Sequence, residues 1–318
     1  MAVCASMNGT TDAAPGPEWM PARVREGRVE WVRLGAAPLR QPFYEMDVRM
    51  AGWADRERRV TRLEDLPAHA AAVPALEPSG FVFHMSRCGS TLTAKVLGAP
   101  ESHLAVSEAP PLDAVVRRRD PELLRAMVRA LGRVRRPGQA RLFVKLDCWH
   151  ILDLALFREA FPETPWVFLH RDPGEVLASH AREAGVQMVA EYFPPAFWGL
   201  GKVERPFGPA WQAQVLGVIC RAGLNGLKLG GGLAVNYREL PEALFGRVLP
   251  HFGVRADATD LAAMRDASRL DAKAPSPTAF RPRQEKHAEA IGDERLLEAY
   301  AALEALSRPA SAPPPPRP

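Results

Sequence analysis

The chain has four cysteines in 318 residues (Cys4, Cys88, Cys148 and Cys220), with no CxxC and no paired spacing. That pattern excludes a thiolate zinc site and a disulfide framework and fits a reducing compartment. Runs of 18 apolar residues are also missing, which argues against a membrane-spanning helix. The first residues, MAVCASMNGTTDAAPGPEW, lack a charged start and a continuous apolar stretch, so no secretory leader is expected and the cytoplasm is the expected compartment. Net charge is only +4 at pH 7, too small to imply nucleic acid as a partner. No internal repeat is visible. Arginines do cluster, at Arg117 to Arg119 and from Arg125 to Arg136. On a helical reading they form a mostly solvated face that could steer an anion.

What is present is concentrated in residues 81–97, FVFHMSRCGSTLTAKVL. Phe81-Val82-Phe83 reads as a buried strand, Ser86 to Thr91 as a polar turn, and Leu92 to Leu97 as the first turns of a helix. A strand–turn–helix junction leaves unpaired N–H groups at the positive end of a helix dipole, which suits a phosphate-like anion. Arg87, Ser90 and Thr91 add a cation and two hydroxyls. The turn is no Walker A loop, because position 84 is His84 instead of Gly and no Lys follows Gly89. An ordinary ATPase or GTPase is thereby disfavoured.

A second strand–turn–helix stands at 165–180, PWVFLHRDPGEVLASH. Trp166 to Leu169 is the strand, Arg171-Asp172-Pro173 the turn, and Pro173 suits the first helical position. Arg171 at the strand end and Ser179 two turns into the helix can converge on one anion. His170-Arg171-Asp172 resembles the start of a protein-kinase catalytic loop, but position 177 is Leu and no D-F-G follows.

Arg87-Cys88-Gly89-Ser90-Thr91 resembles the [KR]-x-G-[ST]-[ST] loop with which sulfotransferases bind the 5′-phosphosulfate of 3′-phosphoadenosine 5′-phosphosulfate (PAPS). Arg171 and Ser179, eight residues apart, match the pair with which that family grips the 3′-phosphate. The resemblance covers roughly residues 80–300 and is to bacterial sulfotransferase-like proteins. It implies PAPS as donor, the bisphosphate PAP as product, and no metal. Sulfuryl transfer requires positioning, cationic stabilisation and a base for the acceptor proton. Glu108 follows an apolar strand and lies 21 residues after Arg87, as the base does in tyrosylprotein sulfotransferases, which these catalytic positions resemble. Its rival His103 stands at the other end of that strand. Lys145, in Phe143-Val144-Lys145-Leu146-Asp147, ends a buried strand where a lysine is costly without an anion nearby. The resemblance makes it a stabiliser of the transferring group together with Arg87. Tyr237 falls in a segment like the family's Y-E-x-L, with Arg238 inserted between Tyr and Glu. Ser276 to Lys286 is the counterpart of the family's basic loop, assigning Arg281, Arg283 and Lys286 to the cofactor. The aromatic stretch 191–198 is either an acceptor-pocket lid or core. The resemblance implies a small-molecule, carbohydrate or peptide acceptor. A small-molecule kinase using ATP and a non-catalytic PAP-binding protein remain as alternative readings.

Alternating elements predict an α/β fold, a P-loop-like central parallel sheet with helices on both faces. Strands are expected at 80–85, 103–106, 141–146, 165–169 and 232–237. Helices are expected at 89–98, within 110–135, and at 149–160, 173–184, 209–229, 239–252, 259–270 and 286–306. The expected organisation is a disordered tail at 1–25, one domain at 26–306 with an N-terminal extension over 26–75, and a Pro-rich tail at 307–318. Trp31, Phe43, Tyr44 and Trp53 would anchor the extension.

Overall fold

The computed structural model describes residues 13–50, 57–272, 278, 279 and 293–307. Its first element corrects the expected tail. Strand β1 (Trp19–Arg25) pairs antiparallel with β2 (Arg28–Arg33), and helix α1 (Tyr44–Met50) precedes β3 (Arg58–Arg62), which pairs with β2. Trp19, Met20 and Ala22 are buried, as are Trp31 and Tyr44 of the extension, whereas Trp53 lies outside the described residues. The strand was hidden locally by Pro21, where the ladder shifts register. Its burial against the rest of the chain, not its own alternation, makes it a strand.

Arg133 fastens this sheet to the domain. Its guanidinium is buried, donates to Gly16 O and Trp19 O at 2.9 Å each, and lies 4.5 Å from the Trp31 ring centroid. Arg135 donates to Gly35 O and Ala37 O. The expected solvated helical face of arginines is therefore corrected at its C-terminal end: these two side chains are structural clamps. They lie past helix end Leu131, and each donates to two carbonyls of the N-terminal segment.

Helix α2 (Leu66–Ala71) leads into the main sheet. The chain then runs β4 (Pro78–His84), α3 (Ser90–Leu97), β5 (His103–Ser107), α4 (Pro110–Val116), α5 (Pro121–Leu131), β6 (Arg141–Lys145), α6 (Leu154–Ala160), β7 (Trp166–His170), α7 (Pro173–Arg182), α8 (Gly208–Lys228) and β8 (Gly232–Asn236). Helices α9 (Leu249–His251), α10 (Ala258–Ser268) and α11 (Glu294–Ser307) follow. The helical material expected within 110–135 is two helices, parted at Arg117 to Asp120 because Pro121 opens a new helix with Asp120 as its cap.

Strand order is β5-β6-β4-β7-β8, with every pairing parallel. Phe81 to Phe83, Leu142 to Val144 and Trp166 to Leu169 are nearly inaccessible, as expected of strands covered on both faces. From β4 the chain travels to β5 at one edge, and from β7 to β8 at the other. The connections leaving the neighbouring strands β4 and β7 thus run in opposite directions, with a crevice between the loops that follow the strands. Those loops hold Arg87 and Arg171. Among the described residues no helix is long and apolar enough to cross a membrane.

Candidate active site

The loop after β4 is built from strained backbone. Ser86, Arg87 and Gly89 all have positive φ (83°, 51° and 84°), and only glycine adopts that region without penalty. At Gly89 even an alanine would collide, since a Cβ there would lie 2.7 Å from Leu240 Cδ1 and 3.0 Å from Tyr237 Cδ2. Successive left-handed residues turn backbone N–H groups toward one concavity, an arrangement that receives anions. Surrounding bonds hold the strain: Ser86 N–H donates to His84 Nδ1 (3.1 Å), Cys88 Sγ to Leu169 O (3.2 Å), and Arg171 Nη1 to Arg87 O (3.1 Å). Burial pushes the Cys88 thiol up to about 12, so Cys88 is a filler of the loop and not a thiolate. Ser90 and Thr91, in the first turn of α3, are buried, and their hydroxyls make no hydrogen bond among the described residues. Both line a cavity of about 580 Å³ with Phe43, His84, Ser86, Arg87 and Glu108.

Arg87 lines this cavity and reaches the C-terminal end of α7. Its guanidinium donates to Glu183 O at 2.7 Å, with Glu183 Oε2 at 3.5 Å. Arg171 is held more tightly, through Nε to Glu175 Oε2 (2.7 Å) and with its guanidinium 4.2 Å from the Tyr237 ring centroid. Its Nη2 has no partner among the described residues. Tyr237 thereby joins Gly89 to Arg171, and the two loops form one unit. Ser179 sits half-buried in α7, and among the described residues its hydroxyl makes no bond to Arg171. Arg281, Arg283 and Lys286 lie outside the described residues.

The next strand ends bring Glu108 and Lys145 together. Glu108 leaves β5 with φ 49° and donates its N–H to Lys145 O at 2.8 Å, while Lys145 Nζ pairs with Glu108 Oε1. The Lys145 side chain is 1% exposed and lies 5.1 Å from the Phe43 ring centroid. His84 Nε2 donates to Leu146 O at 2.9 Å and lies 3.4 Å from Glu108 Oε1. Burial works to raise the Glu108 pKa, but the charge of Lys145 and the bond from His84 outweigh it and hold the carboxyl at about 2. Burial lowers the His84 pKa, leaving it a neutral donor at Nε2. His103, with Nδ1 2.8 Å from Leu97 O, stands at the far end of β5.

Asp147 behaves oppositely. Burial, and then repulsion from Glu108, pushes its carboxyl up from 3.8 to about 7. The folded state therefore keeps a proton there that the unfolded chain gives up near 3.8, so stability falls as pH rises between these values. Asp147→Asn retains a cap for the following turn and removes the charge. It is expected to gain roughly 1–3 kcal/mol at pH 8 and little near pH 4. Thermal melts at both pH values check this, and an equal gain at both would contradict it.

Asp113 accepts from Trp149 Nε1 (2.7 Å), His150 Nε2 (3.0 Å) and Arg117 Nε (2.9 Å). Asp113, Asp147 and His150 have ligand atoms within 4.8 Å of one another, yet the donors already crowd Asp113 and make it a hydrogen-bond hub. The 191–198 stretch is core at Phe193 and Trp198 (4% and 3% exposed), with Phe193 4.6 Å from Trp149 in the cavity wall. Tyr192 is exposed. Phe43, Glu183 and Gln187 line this cavity without any local sequence pattern that marks them. His84 was open to the argument that flagged Lys145, being a polar residue at the end of a buried strand.

No model of a known protein family matches the chain, and no curated protein matches it. Solved structures do. Sulfotransferase STF9 from Mycobacterium avium superposes with TM-score 0.46 and 14% identity, covering 74% of this chain and 77% of that one. Sulfotransferase STF1 from Mycobacterium tuberculosis H37Rv gives 0.42 and 15% over 62% and 73%. The sulfotransferase domain from the curacin biosynthetic pathway gives 0.41 and 17% over 63% and 80%. The likeness is one of fold, and the α/β class rests on the parallel sheet itself.

Proposed function

We propose that this chain transfers the sulfuryl group of PAPS to a hydroxyl or amine of a small-molecule, carbohydrate or peptide acceptor. The observation that carries this reading is Glu108, paired with the buried Lys145 and lining the same cavity as the strained, hydroxyl-rich loop 86–91. The residues fit the donor: buried hydroxyls without partners among the described residues and a left-handed nest suit its 5′-phosphosulfate, and Arg171 on Tyr237 suits the second phosphate. PAPS would supply the electrophilic sulfur and a bisphosphate leaving group. The amides of Arg87 to Thr91 and the hydroxyls of Ser90 and Thr91 hold the 5′ end. Arg87 is recruited from Glu183, while Arg171 and Ser179 take the 3′-phosphate. Resemblance alone adds Arg283 and Lys286. The expected setting is the cytoplasm.

Lys145 has two roles in this reading. Paired, it keeps Glu108 ionised but weakly basic. When it turns toward the anion, Glu108 loses the charge that depresses its pKa and becomes a competent acceptor for a proton. A carboxylate held at about 2 would otherwise be a poor base.

Arg171→Ala should weaken PAP binding by about 10- to 100-fold, with turnover at saturation much less affected. Arg171→Lys should recover little, since a lysine cannot both stack on Tyr237 and reach Arg87 O. Titration calorimetry with PAP reads this directly, and unchanged affinity in Arg171→Ala would remove Arg171 from the site. The same measurement on the unaltered chain tests the whole reading. PAP should bind without magnesium and more tightly than ATP. Tight magnesium-dependent ATP binding with no PAP binding would favour a small-molecule kinase. Normal PAP binding with a silent Glu108→Ala would leave a non-catalytic binding protein.

A further inference from the structure

Ser86 immediately precedes the loop pattern proposed to hold the anion, and nothing in that pattern requires a serine there. It is nonetheless the most constrained residue of the turn. It has φ 83°, is 7% exposed, and lines the cavity. Each of its polar groups toward the protein has a named partner. The N–H donates to His84 Nδ1 at 3.1 Å. The hydroxyl oxygen receives Gln187 Nε2 at 2.9 Å and stands 3.3 Å from His180 Nε2. Gly185 N–H donates to His180 Nδ1 at 3.2 Å, so neutral His180 carries its proton on Nε2 and donates to Ser86. His180 and Gln187 are themselves almost inaccessible.

A hydroxyl has two lone pairs and one proton. Here both lone pairs are taken by donors, and the proton remains to be given. The side that the protein leaves open is the cavity. Glu108 lines the same cavity, and the His84 ring links the two residues: it accepts from Ser86 N–H at Nδ1, and its Nε2 lies 3.4 Å from Glu108 Oε1.

Resting on the sulfotransferase reading, we propose that Ser86 Oγ–H is a dedicated donor to an oxygen of the sulfuryl group. In this role His180 and Gln187 are positioning residues that deny the hydroxyl any other use. The consequence is discrimination between donor and product. PAPS offers Ser86 an acceptor oxygen that PAP lacks, so the site favours the loaded form, and product leaves once the group has moved.

The test is titration calorimetry of the full chain with PAPS and with PAP. Ser86→Gly suits the left-handed backbone and removes the hydroxyl together with its Cβ. It should lose about tenfold in PAPS affinity, the usual worth of a hydrogen bond to an anion, with PAP affinity changed less than about threefold. His180→Ala should show part of the same selective loss, and His180→Gln, whose amide nitrogen can donate to Ser86, should recover it. Thermal melts confirm that each variant folds. An unchanged PAPS affinity in Ser86→Gly, or equal losses for PAPS and PAP, overturns the proposal, the latter meaning that Ser86 merely shapes the loop. If the unaltered chain binds no PAP, the sulfotransferase reading itself fails and this proposal with it. If it binds PAP but Ser86→Gly is silent, only this proposal fails.

Discussion

Glu108→Gln is expected to lower PAP release from PAPS by roughly 10²- to 10⁴-fold, the range for loss of a positioned proton acceptor, while PAP binds as tightly as before. The amide keeps the shape of the side chain and can still accept from Lys145, so the strand ends keep their geometry, at a cost in stability from the uncompensated Lys145 charge. What disappears is the capacity to take a proton. The pH profile adds a sharper expectation. The free enzyme holds Glu108 at about 2, so kcat/KM should show no acid limb from this group above about pH 4. In the bound state Lys145 is engaged elsewhere and Glu108 reverts toward the behaviour of a buried carboxylate. An acid limb in kcat should therefore appear at higher pH and vanish in Glu108→Gln. Matching losses of PAP affinity and turnover, or identical acid limbs in both profiles, would mean that Glu108 is a structural partner of Lys145 and no base.

Much of this site could be read in the sequence because its residues sit where continuous apolar strands stop. Arg87, Glu108, Lys145 and Arg171 each follow such a strand, and a parallel sheet gathers those ends on one edge. That Glu108 and Lys145 would touch follows from β5 and β6 being neighbours, which the alternation of elements does not fix by itself. The partners that set the chemistry were invisible for a physical reason. Arg87 meets Glu183 across 96 residues, and Ser86 meets Gln187 across 101, and neither pairing leaves a local pattern. Phe43 reaches Lys145 only because a three-stranded sheet, absent from the expected elements, carries it there. Arg133 and Arg135 show the reverse error. Their charge suggested solvent, but planar guanidiniums can satisfy several buried carbonyls at once. Periodicity registers apolar faces, not buried cations of this kind.

Lys145→Met should be the most damaging single substitution for stability at neutral pH. The methionine fills similar space beside Phe43, so the cavity term is small, but Glu108, only partly exposed, is left with His84 alone and with Asp147 nearby. Removing one partner of a buried pair costs roughly 3–5 kcal/mol because the other charge stays uncompensated. The pH dependence identifies the cause. In the unaltered protein Glu108 has a folded pKa of about 2, below its ordinary 4.5. It therefore contributes stability that is present above 4.5 and lost as pH falls toward 2. Without Lys145 the folded pKa rises above 4.5, and the same carboxyl opposes folding wherever it is charged. The deficit should be full at pH 8 and shrink below about pH 5 as Glu108 takes up a proton. Adding Glu108→Gln to Lys145→Met should recover most of the lost stability, since a neutral pair in this space carries no unpaired charge. Denaturant melts of the two single variants and the double variant at pH 8 and pH 4.5 decide the matter. A deficit independent of pH, or no recovery in the double variant, would mean that Lys145 stabilises the strand ends by packing against Phe43 and not by charge. Activity would not follow stability in the double variant: with neither the cation nor the base present, PAP release should stay as low as in the poorer single variant.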